Sequence, residues 1–125
     1  MAFIRALSGS SGGGGGTNFC YLDNSMTGMP ANFSTTYSNL PCTDITTGAA
    51  FTPTNVVVVM SHASVANAPI VFEYWNGTKY SSIRTWRGAM QSGNDLTVDG
   101  TTIKVKTLDA NYGKNGGWYL MAWAE

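Results

Sequence analysis

At 125 residues the chain is one domain at most, and seven cationic against seven anionic side chains leave its formal net charge at zero. Charged residues make up 11% of it, against about 25% in ordinary globular domains; no basic stripe exists for phosphate, which argues against nucleic acid as a partner. No apolar run approaches the roughly 18 residues of a membrane span, and a neutral surface rich in Ser, Thr, Asn and Gly associates readily, the composition of an assembly subunit or an extracellular protein.

In chain order the sequence divides into residues 1–7, residues 8–16 and a body from Thr17 to Glu125. The opening MAFIRAL is too short to own a core, so it is either a frayed terminus or docks on another surface, where Phe3, Ile4 and Leu7 are the anchoring side chains. It also lacks the apolar stretch of about 7–15 residues that a secretory signal carries. Ser8 to Gly16 reads SGSSGGGGG; glycine without a Cβ loses the most entropy on ordering, and such a run behaves as a flexible tether. A phosphate-binding loop would need Lys-Ser/Thr at the mouth of a helix, whereas Thr17-Asn18-Phe19 opens a strand.

Thr17 to Leu22 reads as a first strand, after which Asp23 to Pro53 turns polar and irregular, with Phe33–Tyr37 and Asp44–Thr47 as its short-strand candidates. Cys20 and Cys42 are the only cysteines. They either close a disulfide loop of about twenty residues, worth about 3 kcal/mol on chain-entropy grounds, or are buried small hydrophobes. The β-branched run Val56–Met60 predicts a central strand buried on both faces.

Asn76-Gly77 between aromatic and β-branched runs predicts a hairpin with a two-residue turn. That register pairs Trp75 with Thr78 and Glu73 with Tyr80. It sends Ile70, Phe72, Tyr74 and Ile83 to the core and Val71, Glu73, Trp75 and Tyr80 outward. Asp99-Gly100 predicts a second hairpin, Leu96 facing Ile103, with Lys104 and Lys106 on a wet face. In the last strand Trp118, Leu120 and Ala122 alternate with Tyr119, Met121 and Trp123; with both faces apolar it belongs in the middle of a sheet or under a neighbouring subunit. The fold class is all-β, an antiparallel β-sandwich or jelly-roll-like domain rather than a closed barrel.

Little here carries chemistry. His62 is the only histidine and no GxSxG elbow accompanies it, so it reads as a strand-end residue satisfied by hydrogen bonds. No spacing of ligands suits a metal, and no cofactor motif occurs. A glycosidase pair could come only from distant carboxylates such as Glu73 and Asp109. Asn32 and Asn76 open formal glycosylation sequons with no export signal to give them meaning. Aromatic residues remain: Trp118 is assigned to the core, and Trp75, Tyr80 and Trp86 to a ligand or interface surface.

The order MAFIRAL, then SGSSGGGGG, then a neutral, Trp-rich β domain resembles small virion proteins of tailed bacteriophages. The resemblance is one of layout over the whole chain. It implies a non-enzymatic structural or adhesion role in the particle, among other virion proteins and copies of itself, often as a homotrimer, with a cell-surface glycan as a further partner. The rival expectation is a freestanding carbohydrate-binding module using Trp75, Tyr80 and Trp86; an enzyme built on His62 comes third.

Overall fold

The structure, a computed structural model, describes residues 18–64, 71–84 and 93–125. They form eight strands: β1 (Asn18–Asp23), β2 (Ser38–Pro41), β3 (Asn55–Met60), β4 (Val71–Trp75), β5 (Lys79–Arg84), β6 (Asp95–Asp99), β7 (Thr102–Lys106) and β8 (Trp118–Ala124). Among the described residues there is no helix. A large sheet has the order β1-β8-β3-β4-β5 and a small one the order β2-β7-β6, every pair antiparallel. The two sheets close a single core between them, so the domain is a β-sandwich. Leu22, Val56, Val58, Met60, Trp118, Leu120 and Ala122 enter from the large sheet, Leu40, Leu96, Ile103 and Val105 from the small one, and Phe33, Phe51 and Tyr112 from the loops.

The two apolar runs sit where their sequences require. β3 lies at the middle of the large sheet, and β8, apolar on both faces, is sandwiched between β1 and β3. Trp118 is buried against Phe33, ring centroids 4.8 Å apart, and its Nε1 donates to the Pro30 carbonyl at 2.9 Å. A buried indole keeps its one donor satisfied in this way.

Turn length overrules the expected register of the first hairpin and turn position that of the second. The first loop has three residues, Asn76 to Thr78, with Gly77 at φ +100°, so Trp75 pairs with Lys79; a second slip then sets Phe72 opposite Arg84. Facing is fixed by the neighbour on the other side, because β3 pairs Val56 with Trp75 and Val58 with Glu73. Glu73 and Trp75 therefore turn inward and Phe72 and Tyr74 outward, the reverse of the expectation. Ile70 and the Ile83 side chain lie outside the described residues. The interior accepts Glu73 because Asn94 crosses to it, Nδ2 donating to the carboxylate at 3.3 Å while its Oδ1 takes the Leu108 N–H at 2.7 Å. In the second hairpin the loop is Gly100-Thr101, and Leu96 pairs with Val105 instead of Ile103. That slip is an even number of residues, so every side chain keeps its face. Only the first loop residue, Gly100, has positive φ, the pattern of a type II′ turn.

In the long polar segment the strand is Ser38–Pro41, and neither expected stretch is one. Phe33 is a core plug whose N–H bonds the Tyr112 carbonyl at 2.9 Å. Asp44 folds its stretch into a turn: Oδ1 accepts from Thr46 and Thr47 N–H, each at 2.9 Å, and Oδ2 accepts from Phe19 N–H at 3.0 Å. Local carboxylate-to-backbone bonds of this kind compete with strand pairing.

Candidate interaction face

Residues opposite one another in paired strands share a face of the sheet. On the outer face of the large sheet this gives three rows: Phe19–Trp123–Asn55, Tyr21–Met121–Val57–Tyr74, and Asp23–Tyr119–Val59–Phe72. Phe19 and Val59 are buried among their neighbours and the other apolar members are half-buried. Asp23 is the single charged group among the described side chains of these rows. Asn55 is locked at one corner, accepting from the Tyr74 hydroxyl at 2.5 Å and donating to Glu125 at 3.0 Å and to Thr54 Oγ1 at 3.1 Å.

The opposite side of the sandwich is built differently. There Lys104 and Lys106 flank the Tyr37 ring, ammonium to centroid 5.0 and 4.9 Å, and the Tyr37 hydroxyl donates to Asp95. Asn39 and Thr97 pair with Lys104 on that surface. One outer face is charged and the other is aromatic.

At the loop end of the aromatic face, Tyr21, Asp23, Asn24, Ser25, Tyr119 and the 116–118 backbone line a groove of about 210 Å³. A shallower polar hollow of about 520 Å³ adjoins it, lined by Asn24, Asn32 and residues 113–117. Asp23 accepts the Tyr21 hydroxyl at 2.9 Å and the Ser25 N–H and hydroxyl at 2.8 and 2.5 Å. Those bonds, the Ser25 hydroxyl first, hold its carboxyl below the ordinary range; partial burial and then the Asp23 carboxylate push the Tyr21 phenol up. Asn24 closes the ridge between groove and hollow. Its Oδ1 accepts the Trp118 N–H at 3.0 Å and its own N–H donates to the Trp118 carbonyl at 3.2 Å. The adjoining residue has to be Gly117, with φ +80° and only 2.3 Å from the place of a Cβ to Asn24 Oδ1. Flat rings beside a carboxylate and amides suit either a sugar ring or the polar side chains of a neighbouring subunit.

The residues singled out from sequence distribute unevenly over this geometry. Phe3, Ile4, Leu7 and Trp86 lie outside the described residues. Tyr80 pairs with Tyr74 in the β4–β5 register, its side chain again outside them. Trp75 is a correction: it is half-buried and packs against the core from the inner face, because its alternation follows β3. Cys20 and Cys42 are free thiols, both fully buried in the core. His62, just past the end of β3, is hydrogen-bonded as expected, Nδ1 accepting the Ser64 N–H at 3.1 Å, and is buried with its ring edge-on to Tyr112 at 4.7 Å. Glu73 is interior, Asp109 turns back to cap the Asn111 N–H at 2.9 Å, and neither lines the groove or the hollow described above.

Sequence reasoning missed Tyr21, Asp23 and Tyr119. The signal was present in the second apolar set of β8, whose outward members Tyr119, Met121 and Trp123 needed a partner surface once β8 was placed centrally. Among the described residues no group of three His, Cys, Asp or Glu side chains could hold a metal, and no helix is long and apolar enough to cross a membrane. No protein-family model matches the chain, and no curated protein or solved structure matches it.

Proposed function

We propose that the protein is a non-enzymatic structural or adhesion component of a tailed-phage particle, in which residues 1–7 attach the chain and residues 8–16 tether a displayed sandwich. The observation that most supports this reading is the contrast between the two outer faces. The aromatic rows of the large sheet have the composition of a surface that packs on protein, whereas the lysine-bearing face of the small sheet suits water. Copies of the chain around a symmetry axis, in the manner of a trimer, would cover the aromatic rows.

The test removes residues 1–16 and measures copy number in purified particles. The shortened chain should keep the urea midpoint of the full chain yet be absent from particles. Incorporation at normal copy number refutes the anchoring role.

The Tyr21–Asp23–Tyr119 groove favours a second reading, a carbohydrate-binding module, with the platform moved from Trp75 to Tyr119. A glycan array separates a carbohydrate-binding module from a purely structural subunit. A module of this kind gives a saccharide-dependent signal that Tyr119→Ala removes and Trp75→Ala does not, whereas a purely structural subunit gives none.

A further inference from the structure

We propose that Cys20 and Cys42 form an oxidation site, closing a disulfide that staples the two sheets together when the protein meets a low-molecular-weight disulfide such as oxidised glutathione. Cys20 lies on β1, inward-facing and held in register opposite Ala122. Cys42 immediately follows β2 of the other sheet. Its backbone is held on both sides, N–H to the Thr101 carbonyl at 3.0 Å and carbonyl to the Phe51 N–H at 3.1 Å. Neither side chain has any exposed surface. The Cys20 thiol donates to the carbonyl of Pro41, the residue before Cys42, at 3.8 Å, which seats its sulfur beside the peptide that carries Cys42. Two buried cysteines scattered through a core are inert small hydrophobes. Here the only two cysteines of the chain share one buried cluster, Cys20 reaching from one sheet to the peptide of the other that carries Cys42, each on a fixed backbone.

The order of attack follows from the unequal acidity of the two thiols. The hydrogen bond from Cys42 holds the Cys20 thiol below its ordinary value and pushes the Cys42 thiol well above. Cys20 therefore gives up its proton first and, as thiolate, attacks one sulfur of oxidised glutathione; one glutathione leaves as a thiolate and takes up a proton. The Cys42 thiol then loses its proton, its sulfur displaces the second glutathione from Cys20, and that glutathione is protonated in turn. Two cysteine thiols are oxidised by two electrons, and one disulfide is reduced to two thiols. Access runs through β1, which among the described residues pairs only with β8 in the large sheet, so the rate follows local opening of that edge.

The full-length protein is equilibrated in glutathione buffers from reducing to oxidising, then alkylated in denaturant and weighed. The expected oxidised species is two hydrogens lighter and takes up no alkylating reagent. Cleavage at Met26 and Met29, which lie between the cysteines, should give fragments held together until reductant is added. Closing a loop of about twenty residues should also raise Tm by about 10 °C, reversibly with dithiothreitol. Cys20→Ser and Cys42→Ser should show no oxidation-dependent shift, and the wild-type mass needs neither variant to fold. Free thiols, stable glutathione adducts or an intermolecular dimer at the oxidising end each overturn the proposal.

Discussion

Gly117→Ala probes how the groove is built. At φ +80° an alanine costs about 1–2 kcal/mol relative to an ordinary backbone, offset in part by about 0.4–1 kcal/mol from the stiffer unfolded chain. The new Cβ would stand 2.3 Å from Asn24 Oδ1. That atom ends a flexible, exposed side chain, so the clash itself is relieved cheaply by Asn24 swinging away. The cost falls on the bond it leaves, the 3.0 Å contact to the Trp118 N–H, worth about 1 kcal/mol where water can replace it. The sum is about 2 kcal/mol, or a Tm lower by about 8–16 °C for a domain of this size. Asn24→Ala alone should cost about 1 kcal/mol, and in that background Gly117→Ala has no side chain left to displace. The double variant should therefore be less destabilised than the sum of the singles by about 1 kcal/mol. Urea denaturation of the four proteins measures this. Additivity within about 0.3 kcal/mol, or a single-variant loss below about 0.5 kcal/mol, refutes the argument.

Asp44 gives a pH-dependent prediction. Burial opposes its charge, yet the backbone donors of Thr47, Phe19 and Thr46 together outweigh it and hold the carboxyl below the ordinary range. With the folded value depressed, its contribution to stability is complete above the unfolded carboxyl pKa of about 3.9 and disappears as pH falls through the folded value. Asp44→Asn should lose about 1–3 kcal/mol at pH 7, and the gap to wild type, followed by urea unfolding against pH, should narrow below about pH 4. A gap that is constant down to pH 2 refutes it. Leu120→Ala, in the core-facing alternation of β8, should cost about 2–5 kcal/mol by the same measurement. Its neighbour Met121→Ser, on the outer aromatic rows, should cost under about 1.5 kcal/mol and weaken self-association in light scattering. Equal costs at the two positions would mean that the two faces of β8 are not different environments.

What was legible in the sequence was apolar alternation. Val56–Met60 and Trp118–Ala124 announced central strands because both of their faces are apolar, and a strand of that kind has no other stable place. Register was not legible, since it depends on how many residues close a loop and on which ones they are. The Asn76-Gly77 pair, which permits a two-residue turn, instead sits in a three-residue one with Thr78. That one residue moved the β4–β5 pairing, while the facing of Glu73 and Trp75, and with it the expected ligand platform, was decided by the pairing of β4 with β3. β2 was hidden for another reason. Ser38–Pro41 carries a single inward apolar side chain, Leu40, too little pattern to separate from the surrounding turns. The groove was invisible locally, because Tyr21 and Tyr119 meet only through the pairing of β1 with β8.

The placement of β8 also governs how the chain reaches this state. The strand between β1 and β3 is the last of the described strands, and among the described residues β1 has no other partner in its sheet. Until Trp118–Ala124 has emerged from the ribosome, β1 is a lone strand and β3 keeps an open edge, so the large sheet is completed only through a β1–β8 pairing whose strands lie about a hundred residues apart. Such distant contacts slow folding and leave strand edges exposed while the chain waits. A nascent chain halted before Trp118 can pair β3 with β4 and β5 and close the small sheet, but it leaves β1 unplaced and the β3 edge open to other chains.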